Sequence, residues 1–189
     1  MKINRTKQLI ADTLKSYIHE VPLKKITVQM LCDKCNVNRG TFYYHFKDIS
    51  DLVCWIYHME ITLDSRGIGL ESQKLITYTL NRMNEDREFY CQAWHREGQN
   101  NLPDFAAMEF NESFAMMWDG YLTITNRQPK DGCDIRDILR YFAQAHYFAI
   151  SEWVKSGMKM PTEQMSKLLY TVSYTGIMAA LREASEPIV

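Results

Sequence analysis

The chain has 189 residues and a formal net charge of -1, with 46% hydrophobic and 24% charged residues. This composition is typical of a folded soluble protein and excludes a low-complexity or disordered chain. No apolar stretch is long enough to cross a membrane, and no signal-peptide core follows the charged first residues. We therefore expect a cytoplasmic protein with no membrane contact.

Charge is unevenly distributed along the chain. Residues 1–48 contain nine Lys or Arg against four Asp or Glu, a net charge of +5, whereas the rest contains thirteen against nineteen, a net charge of -6. A basic N-terminal quarter on an acidic body indicates a polyanionic partner for that quarter. The same counts would also arise from a solvated helix face.

The five cysteines stand at positions 32, 35, 54, 91 and 133. Their odd number and the lack of an export signal argue against a disulfide framework. Cys32 and Cys35 form a CxxC pair, which suggests a metal or redox site, but no second CxxC or HxxxH completes four zinc ligands. We expect the pair to pack as small apolar side chains on one helix, with no metal and no cofactor.

The first two helices are indicated by apolar periodicity. A helix from Thr6 to about Glu20 ends before Pro22 and carries apolar residues at helical spacing, namely Ile10, Leu14, Tyr17, Ile18 and Val21. Thr27 is the expected N-cap of a second, short helix that ends near Cys35.

A tight turn and a third helix follow. Asn36 tolerates the left-handed conformation that the turn requires, Val37 can enter the core, and Asn38 can cap a helix from Arg39 to about Phe46. At 100° per residue, Phe42 and Phe46 face inward, whereas the opposite face carries Gly40, Tyr43, Tyr44 and Lys47.

This displayed face has the chemistry of a major-groove reader. Hydroxyl, amine and guanidinium donors can bind phosphates and base edges, and a glycine lets the helix start approach the DNA backbone. The alternative is that Tyr43 and Tyr44 are half-buried under a neighbouring helix.

The remaining sequence predicts helices only. Asp48 or Ser50 caps a fourth helix, "DLVCWIYHMEITLDS", which Gly67 and Gly69 end. Five more helical segments, over residues 72–84, 86–99, 103–125, 134–157 and 161–184, are separated by "NE", "NNL", "NRQPKDGCD" and "MKMP". The expected fold is all-α, with a three-helix helix-turn-helix domain over residues 1–48 and a body of about six helices over residues 49–189.

The stretch "ITVQMLCDKCNVNRGTFYYHFKDISDLV", preceded by "RTKQLIADTLKSYI", resembles the DNA-binding domain of TetR-family transcriptional regulators. The resemblance covers roughly residues 5–55, and it places Cys32 and Cys35 at small-residue packing positions. Asn36 replaces the usual turn glycine, Asn38 the usual capping serine, and Ile49 the usual lysine, whose anchoring role Lys47 can take over. "DREFY" with the later "ISEWVKSG" is similar to a C-terminal subclass that includes the dihydroxyacetone-kinase operon activator.

The resemblance implies a set of DNA contacts, and the helical-face argument adds Lys47. The implied contacts are Thr27, Gln29, Arg39, Gly40, Thr41, Tyr43, Tyr44 and His45. Tyr43 and Gln29 are the expected base readers, and Tyr44 and Lys47 the expected phosphate anchors. His45 lies nearer the buried face, so a structural role is equally consistent with its position.

The last two helices carry broad apolar stripes. The final helix has a stripe with small residues at Gly176, Ala179 and Ala180, and the helix before it contributes Phe142, Tyr147, Ile150 and Trp153. These stripes predict a homodimeric four-helix interface, which the resemblance also implies, and a twofold dimer would bind palindromic double-stranded DNA. A monomer core would give similar stripes.

The middle helices are rich in aromatic residues and methionine, which can line a cavity for a small apolar effector. The candidate pocket residues are Tyr90, Trp94, Phe110, Phe114, Trp118, Tyr121 and His146. Two alternatives stay open: these side chains simply fill the core, or the body binds a protein partner instead.

No enzymatic motif is present. The five histidines lack metal-binding spacing, and there is no phosphate loop, nucleophile elbow or dinucleotide fingerprint. The sequence therefore does not predict an enzyme, and the resemblance implies a transcriptional regulator, most commonly a repressor in that family.

Overall fold

A computed structural model describes residues 4–63, 73–96 and 98–188 of the chain. Within those residues lie nine α-helices: α1 Arg5–Tyr17, α2 Val28–Cys35, α3 Arg39–His45, α4 Ile49–Tyr57, α5 Gln73–Glu85, α6 Arg87–Trp94, α7 Leu102–Thr125, α8 Arg136–Lys155 and α9 Thr162–Glu183. A short 3₁₀ turn, Leu23–Lys25, and a π-helical segment, His58–Leu63, complete the helical structure of the described ranges. The predicted all-α fold with a helix-turn-helix is confirmed.

Local hydrogen bonds explain where α2 and α3 begin. The Thr27 side chain accepts from Met30 N at 3.2 Å, and the Asn38 side chain accepts from Thr41 N at 2.7 Å. Asn36 ends α2 in the left-handed conformation, with φ of 53°. These three residues have the cap and turn roles that the sequence predicts.

Helix α1 is shorter than predicted. It ends at Tyr17, whereas the apolar period continues to Val21. Pro22 disfavours helical geometry at the residue before it, so the chain leaves the helix over residues 18–21 and enters the 3₁₀ turn.

Helix α4 changes its geometry before it leaves the described range. The Asp48 side chain caps it by accepting from Asp51 N at 2.8 Å, and the helix continues from His58 as the π-helical segment. A π turn holds an extra residue, which shifts the faces that the following side chains occupy. Gly67 and Gly69, predicted to end this helix, lie outside the described residues.

The sequence analysis predicts helices only, whereas the structure also contains a two-stranded antiparallel sheet. Strand β1, Arg127–Pro129, pairs with β2, Ser185–Pro187, and joins the end of α7 to the end of α9. Arg127 Nε donates to Ser185 Oγ at 2.8 Å. Three residues per strand are too few to show an alternating pattern.

The core consists of two apolar clusters. The larger one is continuous from the helix-turn-helix into the body, since it includes Ile10 of α1, Leu52 of α4, Tyr90 of α6 and Trp153 of α8. The smaller one joins α7, α8 and α9 near the strand pair, around Trp118. None of the helices in the described ranges is long and apolar enough to span a membrane.

Candidate nucleic-acid interface and body cavity

The aromatic rings of α3 and of Phe46, which directly follows it, fall into a buried pair and an exposed pair. Phe42 and Phe46 are 0% and 2% exposed and contact each other with ring centroids 5.8 Å apart. Tyr43 and Tyr44 are 49% and 82% exposed. The buried pair anchors the helix, and the displayed pair is available to a partner.

All nine predicted DNA contacts keep exposed surface. Thr41 and His45 are half-buried, and the other seven are exposed: Thr27, Gln29, Arg39, Gly40, Tyr43, Tyr44 and Lys47. His45 contacts the rings of Tyr44 and Phe46 on either side, so its intermediate burial fits both of its proposed roles.

Interactions within this surface orient two of its donors. Arg39 Nη2 donates to the Tyr43 hydroxyl at 3.4 Å, and this hydrogen bond raises the pKa of Arg39. Gln29 Nε2 donates to Asp33 Oδ1 at 2.7 Å, which fixes the direction of the amide. A Cβ at Gly40 would lie 3.1 Å from the Asn38 oxygen that caps α3, so glycine keeps the cap undisturbed.

Two of the eight Lys and Arg residues that the structure describes in the N-terminal region form ion pairs. Lys7 lies over the rings of Phe46 and Trp55, Lys15 is paired with Glu60, and Lys34 is paired with Glu20. Lys7 and five others have no ion-pair partner within the described residues, the five being Arg5, Lys24, Lys25, Arg39 and Lys47. The positive charges of these residues are therefore not neutralised by an adjacent carboxylate in the part of the chain that the structure describes.

An ion cluster joins the helix-turn-helix to the body. Glu60, in the π-helical segment, has one oxygen 2.6 Å from Lys15 Nζ and 3.0 Å from Arg82 Nη2, and it accepts from the Tyr90 hydroxyl at 3.0 Å. Asp86 contacts both Lys15 and Arg82. Sequence reasoning missed this cluster because its members come from four separate elements with no common spacing.

The body contains a cavity of ≈ 140 Å³ among α4, the π-helical segment, α5, α7, α8 and α9. Its walls include the apolar side chains of Ile61, Ile76, Phe110, Phe114, Met117 and Ile150. Polar groups also line it, among them Tyr57, Thr79, Glu109, Ser113, His146 and Ser173.

Three of the seven predicted pocket residues line the cavity, and the other four do not. Phe110, Phe114 and His146 line the cavity. The other four are buried elsewhere: Tyr90 at the ion cluster, Trp94 against Ser151, and Trp118 and Tyr121 in the smaller apolar cluster. Helical periodicity could not separate the two groups, because both lie on buried faces.

Two polar residues of the cavity lining, His146 and Glu109, are each paired with a group outside it. His146 is 5% exposed, its Nδ1 lies 2.8 Å from the Phe142 carbonyl oxygen, and burial lowers its pKa. Glu109 is 8% exposed and has Oε2 at 3.2 Å from His58 Nδ1. Neither Glu109 nor His58 was singled out from the sequence, since nothing in their spacing distinguishes them.

Helices α8 and α9 each display an apolar stripe to solvent. On α8 the stripe is Ile138, Tyr141, Ala145 and Phe148, and on α9 it is Leu168, Val172, Gly176 and Ala179. Both sets follow helical spacing and fall within about 100° of the helix circumference. The predicted interface residues Phe142, Tyr147, Ile150 and Trp153 are instead half-buried or buried within the protomer.

The CxxC pair lies on α2, where Cys32 is buried and Cys35 half-buried. Burial raises the pKa of both thiols. Within the part of the chain that the structure describes, no group of three or more His, Cys, Asp or Glu is arranged to hold a metal ion. The surroundings of the pair are those of packing residues.

Two parts of the chain match known protein families. Residues 10–53 match the family of bacterial regulatory proteins described as the tetR family. Residues 71–174 match the family described as the transcriptional regulator C-terminal region. No curated protein matches the sequence significantly.

Solved structures share the fold. The dihydroxyacetone kinase operon activator DhaS has a TM-score of 0.69 at 17% identity, with 96% of this chain and 98% of that chain covered. The fatty acid degradation regulator FadR from Bacillus halodurans has a TM-score of 0.59 at 14% identity, with 94% and 98% covered. The SmeT–triclosan complex has a TM-score of 0.57 at 14% identity, with 92% and 91% covered.

Identities this low show a common fold and no more. The two family matches go further, because they fall on the helix-turn-helix and on more than half of the chain in the body. The protein belongs to the TetR family of DNA-binding transcriptional regulators, which is a family without enzymatic activity.

Proposed function

We propose that the protein is a homodimeric repressor that binds a palindromic operator and releases it when a small effector occupies the body cavity. Two features together carry this proposal: α3 exposes Tyr43 and Tyr44 between Arg39 and Lys47, and the body cavity reaches the π-helical continuation of α4. Helix α4 begins directly after α3 and ends at the cavity wall, so a shift there would move the DNA-binding surface.

The DNA contacts follow from the exposed surface of α2 and α3. Tyr43 and Gln29 are proposed to contact base edges, and Tyr44 and Lys47 to contact phosphates. Tyr44 and Lys47 are exposed, and neither side chain is hydrogen-bonded within the described residues. The Arg39–Tyr43 contact presents a guanidinium and a phenol as one unit, which suits a purine edge.

The exposed stripes on α8 and α9 support the dimer. Phe148 and Val172 are 66% and 78% exposed in the protomer, an unfavourable situation for large apolar side chains in water. A second copy related by a twofold axis would pack α8 and α9 of both chains into a four-helix interface.

The cavity supports control by a small molecule. Triclosan is the compound named in the SmeT complex, and fatty acid degradation is the process named for FadR. Both proteins share this fold. For the present chain, an effector acts only if it binds the two conformational states unequally, commonly by about 1–3 kcal/mol.

A protein partner is the second candidate. Met108, Met116 and Ile124 of α7 are 46%, 55% and 86% exposed. Steps of eight residues rotate these side chains by about 80° each, so they do not form a single stripe. The observation that favours this candidate is therefore weaker than the cavity that favours an effector.

The proposal is tested by selecting bound sequences from random duplex DNA and then releasing the recovered operator. We expect a palindrome, and we expect an apolar compound that occupies the cavity to weaken operator binding by about 5–150-fold. Ser173→Phe, which fills the cavity, should bind operator and ignore the compound, while Thr171→Phe on the exposed face of α9 should respond normally. Recovery of no palindrome, or equal release of both variants, would contradict the proposal.

The base and phosphate roles on α3 are separable by mutation. Lys47→Ala should weaken binding to all duplexes similarly, because it removes one phosphate contact. It should also reduce the salt slope, which is the slope of the logarithm of the binding constant against the logarithm of the salt concentration, by about 1 per protomer. Tyr43→Ala should instead reduce discrimination at one or two operator positions by about 1–3 kcal/mol. Competition assays on single-base operator variants distinguish the two effects.

Lys155→Ala is the matched control for this comparison, since Lys155 is an exposed lysine at the end of α8 that pairs with Glu152. It should leave affinity, salt slope and base preference unchanged. If Lys47→Ala altered base preference while Tyr43→Ala did not, the two assignments would be reversed.

A further inference from the structure

We propose that the effector is a small organic amine whose protonated nitrogen binds between Glu109 and His146 while its apolar body fills the rest of the cavity. This inference rests on the proposed effector site in the body. It narrows the effector from an apolar compound in general to one with a cationic, hydrogen-bond-donating head.

The described lining of the cavity carries a negative charge. Among the described lining residues, Glu109 is the only Asp, Glu, Lys or Arg. Its carboxylate is held by His58 at 3.2 Å on one oxygen, and no hydrogen bond to its other oxygen occurs within the described residues. An anionic ligand would meet this carboxylate with no Lys or Arg to offset it, whereas a cation would be bound by it.

The tautomer of His146 determines which of its two ring nitrogens can accept a hydrogen bond. A carbonyl oxygen only accepts hydrogen bonds, so the contact of Nδ1 with the Phe142 carbonyl requires the proton on Nδ1. Burial lowers the pKa of His146, which keeps the ring neutral and leaves a lone pair on Nε2. Nε2 and the Glu109 carboxylate are thus two acceptors that line one cavity, and they call for a ligand with N–H donors.

Unused hydroxyls show that the cavity is a polar site as well as a gap in the packing. Tyr57 and Ser173 are 2% and 7% exposed, and neither hydroxyl has a hydrogen-bond partner within the described residues. No fully enclosed side-chain polar atom lacks a partner there, so both hydroxyls reach open space, and both residues line the cavity. Burial and the nearby Glu109 carboxylate raise the pKa of Tyr57, which keeps this phenol protonated.

The remaining walls set the size and nature of the ligand body. Phe110 and Phe114 line the cavity, and the Phe114 ring lies 5.1 Å from the His146 ring. Aromatic faces attract a cation as well as apolar groups. The volume of ≈ 140 Å³ is close to the roughly 150 Å³ of an engineered cavity that binds benzene, so the body is about one ring in size.

The test compares four probes that share one ring and differ in the head group: benzylamine, benzyl alcohol, toluene and benzoate. Isothermal titration calorimetry on the full chain should show benzylamine binding at least about tenfold more tightly than benzyl alcohol and toluene, with no binding of benzoate. A carboxylate acceptor strengthens a hydrogen bond from a charged donor, which is the source of this order.

The binding position is checked with ¹³C-methyl methionine NMR. Met117 lines the cavity and is 6% exposed, while its neighbour Met116 is 55% exposed on the outer face. Benzylamine should shift the methyl signal of Met117, assigned with Met117→Leu, and leave that of Met116 in place. A shift of Met116 alone would place the probe outside the cavity and overturn the inference.

Glu109→Gln keeps the shape of the side chain and removes its charge, so it should abolish the preference for benzylamine over benzyl alcohol. Glu112→Gln, on the exposed face of α7, is the matched control and should retain the preference. Circular dichroism melting curves check that both variants fold, and the probe order in the unaltered protein tests the inference without any variant.

The outcomes separate this inference from the proposed function. If toluene or benzoate binds the cavity as tightly as benzylamine, the ligand class is wrong while the effector site stands. If none of the four probes binds and none alters operator binding, the small-molecule site itself fails and the protein-partner candidate replaces it.

Discussion

Raising the NaCl concentration from about 50 to about 200 mM is expected to weaken operator binding by about a thousandfold or more. The physical reason is counterion release, since each Lys or Arg that meets a phosphate displaces condensed cations from the duplex. Six basic side chains per protomer lie in the N-terminal region without an ion-pair partner in the described residues, namely Arg5, Lys7, Lys24, Lys25, Arg39 and Lys47. A dimer that used three to five of them per protomer would give a log–log slope of roughly -5 to -9.

Fluorescence anisotropy with labelled operator at a series of salt concentrations measures this slope. Lys24→Ala combined with Lys25→Ala should flatten it, because both residues belong to the unpaired set. Lys34→Ala is a suitable control, since the Lys34 amine is held by Glu20 and lies over the Tyr17 ring. Salt-independent binding, or a Lys34→Ala slope as flat as that of the double variant, would contradict this assignment.

Replacing Phe42 by Ala is expected to lower the free energy of unfolding by about 3–5 kcal/mol and to abolish operator binding. Phe42 is 0% exposed and contacts Phe46 and the edge of the Tyr43 ring. The lost ring leaves a cavity under α3, a helix of only seven residues that has few other apolar anchors. Urea denaturation followed by circular dichroism gives the size of the loss.

Tyr44→Ala is the control for that measurement, because it removes an aromatic ring two residues further along the same helix. Tyr44 is 82% exposed, so its loss should change the free energy of unfolding by no more than about 0.5 kcal/mol. It should nevertheless weaken operator binding, since the tyrosine is a proposed phosphate anchor. Equal destabilisation by the two variants would mean that the outer face of α3 is also packed.

The helix-turn-helix could be predicted from sequence almost residue by residue, because its signals are local. Thr27, Asn36 and Asn38 each specify a cap or a turn within four residues of chain, and the spacing of Phe42 and Phe46 identifies the buried face. Such short-range determinants are visible in a single sequence. The early end of α1 is the exception, and it reflects a backbone restriction before Pro22 that the apolar period conceals.

The strand pair, the ion cluster and the cavity lining of the body could not be predicted, because they depend on contacts between residues that are far apart in the sequence. The strand pair brings together Arg127 and Pro187, and the ion cluster joins Lys15 to Glu60, across separations that no periodicity encodes. Aromatic content indicated a cavity, yet Trp94 and Trp118 fill the core while Phe110 and Phe114 line the cavity. Whether a buried ring borders empty space depends on its neighbours in three dimensions.

The connection between Lys15 and the π-helical segment bears on how such regulators can be recombined. Glu60 lies next to Ile61, a residue of the cavity wall, and its carboxylate binds Lys15 of the DNA-binding region. A hybrid protein that joined this body to a foreign DNA-binding domain would lose that contact unless the foreign domain had a lysine or an arginine at the same position of its first helix. In such a hybrid, a lysine introduced at that position of the foreign first helix is expected to restore the contact between the two parts.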